Sequence, residues 1–194
     1  MVTPALQRGI GALQDGRFLG VVGALDIPAF LLRSTVDVTA ADLNFLAAHA
    51  KGLISLALSR ERAAALRLSP QPRMGRFGLG HGYLQSIEAR EGISTGISAA
   101  DRARTIRVAT DGGAAPGDIV TPGHVFPICA LPEGIELYCG AAEVALELMA
   151  RAGLPDSAVL CAILDRAGRL PDEAAMRDIC NTLGLGLLHT RDLQ

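Results

Sequence analysis

Two short segments of the chain carry residue types and spacings suited to chemistry. In the first, Ser94-Thr95-Gly96-Ile97-Ser98-Ala99-Ala100-Asp101-Arg102, two hydroxyls and a glycine lead into Ser98, a good helix N-cap, and then into an alanine-rich stretch with Asp101 in its first turn. Such a helix start offers backbone N–H groups, hydroxyls and the positive end of the helix dipole to an anionic or polyhydroxylated ligand. Thr95, Ser98, Asp101 and Arg102 are therefore candidate substrate contacts. Asp101 also suits a helix first turn and Arg102 a structural ion pair, so both readings stand at this point. The second segment, Pro122-Gly123-His124-Val125-Phe126-Pro127, sets a histidine between a Pro-Gly turn and a short apolar run. That spacing places the His124 imidazole at the mouth of a strand.

Positioning these groups falls to elements that the hydrophobic pattern predicts. Thr3 caps a first helix, with Pro4 at its first position and Gly16 as its stop. An apolar run over residues 18–25 reads as a strand, with a second short run over 30–32 after a tight turn. Thr39 caps a helix with Asp42 three residues on, and Gly52 ends it. Residues 53–58 form a strand and 60–68 a short helix, and a proline- and glycine-rich loop follows over 70–82. Residues 83–89 form a strand, and the helix opened by Ser98 ends near Asp111. A loop over 114–122 precedes the His124 strand, and residues 131–139 hold a turn and a short strand. A helix over 141–152, a strand over 158–164, a helix capped by Asp172 and a strand over 185–189 complete the series. Strands alternate with helices, which argues for α/β layers, here a single domain spanning residues 1–194.

Composition excludes several function classes. A net charge of −2 gives no general pull toward nucleic acid or an anionic membrane surface. With no Trp, 5 Phe and 2 Tyr, the chain lacks the stacking platforms of single-strand binders. Cys129, Cys139, Cys161 and Cys180 show no C-x-x-C spacing, and neither a signal peptide nor a membrane-spanning apolar run is present. A cytoplasmic protein with reduced thiols is expected. Cys161 and Cys180 read as packing residues, as does His49.

The run Thr95-Gly96-Ile97-Ser98-Ala99-Ala100-Asp101-Arg102, then Thr105-Ile106-Arg107, then Pro122-Gly123-His124-Val125-Phe126-Pro127, resembles 3,4-dihydroxy-2-butanone 4-phosphate synthases. Weaker similarity includes His49-Ala50-Lys51-Gly52, Ile87-Glu88-Ala89 and Val159-Leu160-Cys161, and covers nearly the whole chain. The resemblance implies an α/β sandwich with a mixed sheet flanked by helices, and a homodimer with active sites near the subunit interface. It implies conversion of ribulose 5-phosphate to dihydroxybutanone phosphate and formate, with two divalent metals, usually magnesium, spreading the charge of an enediol intermediate.

Against that family the chain departs at the metal site. The acidic loop expected after the first strand reads Gly23-Ala24-Leu25-Asp26-Ile27-Pro28-Ala29-Phe30, with Asp26 its one acid. The family's Arg-x-Gly-His-Thr-Glu motif aligns with Tyr138-Cys139-Gly140-Ala141-Ala142-Glu143, so Ala141 stands for the metal-binding histidine. Tyr138 and Ala142 stand for residues that hold the substrate phosphate, and Ala162 for a catalytic glutamate. Magnesium is thus expected only if the family reaction is retained, and otherwise no cofactor.

Three substitutions add chemistry: His81, Tyr138 and Cys139. His81, His124 and Cys139 lining one pocket would supply acid/base or nucleophilic groups, the thiol lowered in pKa by a helix start and a histidine. Asp26, Tyr138 and Glu143 join the substrate contacts. The expectation is a metal-independent enzyme on a small hydroxylated carbonyl compound, working by dehydration, isomerisation or cyclisation and possibly serving specialised metabolism. The alternatives are the family reaction itself and a noncatalytic binding or partner subunit.

Overall fold

Local sequence chemistry sets most element boundaries. The computed structural model describes residues 3–72 and 82–193. Helix α1 (Pro4–Gln14) starts where the Thr3 hydroxyl accepts from the Leu6 N–H at 3.1 Å, and the chain leaves it through Gly16 at φ +69°. Strands β1 (Leu19–Val22) and β2 (Ala29–Ser34) pair antiparallel, Leu19 opposite Leu32 and Val22 opposite Ala29, and enclose a tight turn. Helix α2 (Ala40–His49) carries the expected capping box of Thr39 and Asp42.

Its end differs from expectation. Lys51, not Gly52, takes the positive φ of 70°, and β3 (Lys51–Leu58) begins at once. Gly52 is needed for another reason, since a Cβ there would lie 2.3 Å from the Ala162 carbonyl oxygen of the neighbouring strand.

Helix α3 (Arg60–Ala65) is shorter than expected, because Arg67 turns to φ +53° just beyond it. Only β4 (Ile87–Ala89) survives of the strand expected over 83–89, although Tyr83 still bridges to Ile128 and Leu84 to Pro70. Helix α4 (Ala99–Thr110) starts at Ser98 as expected. The next strand, β5 (Ile119–Cys129), starts three residues before Pro122, so the expected Pro-Gly turn lies inside a strand. Residues 131–139 form no strand; a 3-10 turn, Gly134–Glu136, stands there, with Gly134 at φ +65°. Helix α5 (Ala141–Ala152), strand β6 (Ser157–Ile163), helix α6 (Glu173–Leu183) and strand β7 (Gly186–His189) follow, both helices ending on left-handed glycines, Gly153 and Gly184.

The seven strands form one mixed sheet in the order β4-β5-β3-β6-β2-β1-β7. Successive side chains on a strand point to opposite faces, and the two cores show that alternation. Leu31, Leu56 and Val159 meet Leu43 and Leu46 of α2, Ile106 of α4 and Met176 of α6 on one face. Leu32, Ala57 and Leu160 meet Leu6 and Leu13 of α1 and Val144 and Leu148 of α5 on the other. A fully buried leucine contributes about 1.5–3 kcal/mol. The result is the layered α/β sandwich that the pattern of elements implies.

Candidate active site

A paired histidine and carboxylate sit where β4 meets β5. Ile87 lies opposite Val125 but Glu88 lies opposite Val120, so residues 121–124 bulge from the ladder. Pro122 has no N–H to lose, and Gly123 donates to the Ser86 hydroxyl at 3.1 Å. A Cβ on Gly123 would come within 2.2 Å of the Ile87 carbonyl, so the bulge requires glycine. The bulge brings His124 Nδ1 onto Glu88 Oε1 in a short contact. A carboxylate oxygen only accepts, so the contact puts a ring proton on Nδ1, and in the neutral imidazole Nε2 is then the acceptor. The imidazole is 42% exposed and the carboxylate 15%. His124 thus sits in a bulge inside β5, which corrects its expected place at a strand mouth.

The loop before α4 is organised around Asp101. Its Oδ2 accepts from the Ser94 hydroxyl at 2.8 Å, the Gly96 N–H at 3.1 Å and the Ser94 N–H at 3.2 Å. The Ser94 hydroxyl leads in holding the Asp101 carboxyl below its usual value, against the opposing effect of burial. At 8% exposure and with three donors from its own loop, Asp101 holds that loop in shape. The Ser98 hydroxyl likewise serves the Asp101 N–H at 3.0 Å, whereas Thr95 is exposed. The loop in turn seats the pair: Gly96, at φ +79°, is where any Cβ would fall 1.8 Å from Glu88 Oε1. Thr105 closes the assembly, accepting from the Ala89 N–H and donating to the Asp101 carbonyl, both at 3.0 Å.

Arg102 has its Nε buried with no hydrogen-bond partner among the described residues. Burial lowers its pKa, while the facing Cys161 acts in the opposite direction. A guanidinium N–H buried without an acceptor near the α4 start is an unmet hydrogen-bond donor.

The second cluster surrounds the N-terminus of α5. Asp26, in the β1–β2 turn, accepts through Oδ1 from the Ile27 and Ala141 N–H groups, each at 2.8 Å. The Leu25 N–H donates to the Cys139 carbonyl at 2.9 Å, and the Thr190 hydroxyl to the Gly23 carbonyl at 3.0 Å. Glu143, 2% exposed, accepts from the Leu131 N–H at 2.8 Å. Burial pushes the Tyr138 hydroxyl up, with Asp26 and Glu143 adding to it. The Cys139 thiol is pushed up too, chiefly by burial and further by Glu143 and Asp26, with the Thr190 hydroxyl opposing. This corrects the expected low-pKa thiol: its neighbours are carboxylates, and the α5 start already faces Asp26.

His81 lies outside the described residues. The partners of His124 and Cys139 given above have no residue in common, one group belonging to the β4–β5 edge and the other to the β1–β2 turn and α5. Tyr83 enters from the sheet, its hydroxyl 3.3 Å from the Ser55 hydroxyl and raised by burial, with Asp26 and Cys161 adding. It borders a cavity of about 460 Å³ that also touches Arg60, Gln71 and Cys129. Glu88 escaped the sequence reading as a functional residue, although it is the one charged residue of β4. Cys161 and Cys180 pack in the core as expected, their thiols pushed up to about 12 and about 11 by burial. His49 packs on Phe45 with ring centroids 4.6 Å apart.

The family model described as 3,4-dihydroxy-2-butanone 4-phosphate synthase matches residues 7–194. A synthase of that description from Pseudomonas aeruginosa is 40% identical over 140 residues, which is 72% of this chain and 38% of that protein. A two-domain synthase from A. baumannii superposes with a TM-score of 0.89 at 33% identity, over 97% of this chain and 56% of that one. The chain therefore spans well under two thirds of the length of both proteins. A synthase solved in complex with two magnesium ions superposes with a TM-score of 0.86 at 29% identity, over 98% of this chain and 95% of that one.

Magnesium demands several oxygen ligands in near-octahedral geometry. Among the described residues, no three side chains of His, Cys, Asp and Glu converge to hold a metal. Ala141 offers no donor, and the Oδ1 of Asp26 already serves two N–H groups. This donor set does not fit a pair of magnesium ions.

Proposed function

The chain belongs to the 3,4-dihydroxy-2-butanone 4-phosphate synthase family, and from that premise we propose that it is an acid–base enzyme acting on a small hydroxylated carbonyl compound without a divalent metal. The observation that carries this reading is the Glu88–His124 pair, built by a bulge and two glycines beside a donor set that does not suit magnesium. His124 Nε2 removes a proton next to the carbonyl, and Glu88 holds the opposite ring nitrogen as positive charge develops on the imidazole. The Arg102 Nε–H donates to the enediolate oxygen. Return of the proton to the neighbouring carbon isomerises the substrate, and its delivery to a departing hydroxyl dehydrates it. Tyr138 and Cys139, whose hydroxyl and thiol burial keeps protonated at neutral pH, belong to the proposed set as proton donors, together with Glu143. His81 belongs to the same proposed set, as does Thr95.

A second reading is the family reaction itself, in riboflavin biosynthesis, favoured by the match along residues 7–194. Incubating the protein with ribulose 5-phosphate and magnesium and measuring formate separates the two. We expect no formate, together with solvent deuterium exchange at carbon next to the carbonyl that is lost in His124→Asn. Steady formate release would overturn the metal-independent reading and establish the second. We further propose one domain over residues 1–194, a cytoplasmic location and a homodimer, the last checked by sedimentation. Among the described residues, no helix is long and apolar enough to cross a membrane.

A further inference from the structure

Tyr83 borders a cavity of about 460 Å³ in which neither Glu88 nor His124 takes part. Cys129, on its wall, ends β5 five residues beyond His124, roughly 16 Å along an extended strand. Part of the wall is paired backbone. Leu84 bridges to Pro70, the Gln71 N–H donates to the Tyr83 carbonyl at 3.0 Å, and the Cys129 N–H to the Gly82 carbonyl at 2.8 Å. Gly82, at φ +106°, permits this approach, since a Cβ there would fall 2.3 Å from the Cys129 carbonyl oxygen. Ala63 and Ala64 of α3 line the cavity too, and their small side chains fill little of it.

The wall is mostly apolar, and Arg60 is the one charged residue on it. Among the described residues its guanidinium makes no ion pair or hydrogen bond, although Glu61, Glu143 and Glu147 line an adjoining cavity of about 300 Å³ that Arg60 also touches. The cation is felt inside the larger cavity. Burial raises the Cys129 thiol, and Arg60 draws it back more strongly than Glu143 or Glu61 raises it further. The Gln71 amide supplies a second polar group on the same wall. A space of this size, apolar with a few polar groups, is of the kind that binds small molecules. A guanidinium there holds a carboxylate through two parallel hydrogen bonds and repels an ammonium.

From these walls we infer a ligand site, distinct from the Glu88–His124 pair, that takes a small monocarboxylate with an apolar body. The carboxylate meets Arg60 and Gln71, and the body lies against Ala63, Ala64 and the Tyr83 ring. One cation with no acid on the same wall selects a single negative charge, and the apolar remainder selects against a polyhydroxylated chain.

Hexanoate is the probe, titrated into the intact protein by calorimetry, with 1-hexanol and hexylamine as its uncharged and cationic counterparts. The chain has 2 Tyr, so ring-labelled tyrosine gives two sets of NMR signals, which Tyr83→Phe assigns. Hexanoate is expected to bind saturably and to move the Tyr83 signals, about tenfold or more tightly than 1-hexanol, with no binding of hexylamine. Arg60→Gln should weaken hexanoate about tenfold or more. Ala64 is exposed, so Ala64→Phe leaves the fold in place while filling the cavity, and should abolish binding. The site is overturned by a wild type that does not bind hexanoate, by 1-hexanol binding equally well, or by hexanoate binding that both variants leave untouched. Where circular dichroism shows one variant unfolded the other decides, and the wild-type series decides if both fail. Deuterium exchange is read separately, and its absence would remove the acid–base reaction while leaving this site standing.

Discussion

In the proposed reaction Glu88 and His124 divide one task, the carboxylate fixing which nitrogen holds the proton and the imidazole doing the transfer. Glu88→Gln keeps the size but can present an N–H to Nδ1 and so favour the wrong tautomer. We expect a drop in kcat of roughly a hundredfold, with KM little changed and a shifted pH profile. His124→Asn should lose at least as much, and the double variant no more than His124→Asn alone, because the two act as a unit. Asp101 predicts a pH effect of defined sign. Its folded carboxyl lies below the ordinary 3.8, so it contributes stability above that pH and loses it as pH falls through the folded value. The stability gap between wild type and Asp101→Asn in denaturant melts should therefore be full at neutral pH and narrow below 3.8. His124 was legible in the sequence because the proline and glycine before it mark a special backbone. Glu88 was not, since its contact depends on a register shift between two strands, which no local pattern records. Cys139 misled for a related reason: adjacency to a helix start was visible, and the carboxylate arriving from residue 26 was not.

At the level of elements, helix starts were the most legible feature, because four of them rest on a contact three residues away: Thr3 to Leu6, Thr39 to Asp42, Ser98 to Asp101 and Asp172 to Ala175. Thr39→Ala should cost about 1 kcal/mol in chemical denaturation, with no change in any catalytic readout. Strand limits were less legible, as with β5, where Pro122 and Gly123 signal a turn locally but are absorbed as a bulge by pairing with β4. Gly96 joins the two levels. Gly96→Ala imposes a side chain at φ +79°, a cost of about 1–2 kcal/mol for the backbone alone, and drives its Cβ against Glu88. Its expected signature is a lower melting temperature together with the altered pH profile of Glu88→Gln, and a purely structural role for Gly96 would give the first without the second.

For the molecule as a whole, alternation along β2, β3 and β6 sends neighbouring residues into two separate cores, and this period was readable as apolar runs long before their partners were known. Leu148→Ala, which empties space under α5, should cost about 2–5 kcal/mol in denaturant unfolding. The order in which the strands assemble was not readable, since β1 pairs in parallel with β7 from the other end of the sequence. The bond between Thr190 and Gly23 joins residues 167 positions apart. The turn bearing Asp26 precedes in the chain, by nearly the whole described length, the strand and hydroxyl that brace it. A nascent chain halted after α6 would have its helices and most of its sheet, yet no finished wall beside α5. Contacts of such long range form slowly, so the brace on the Asp26 turn is in place only once β7 has docked on β1.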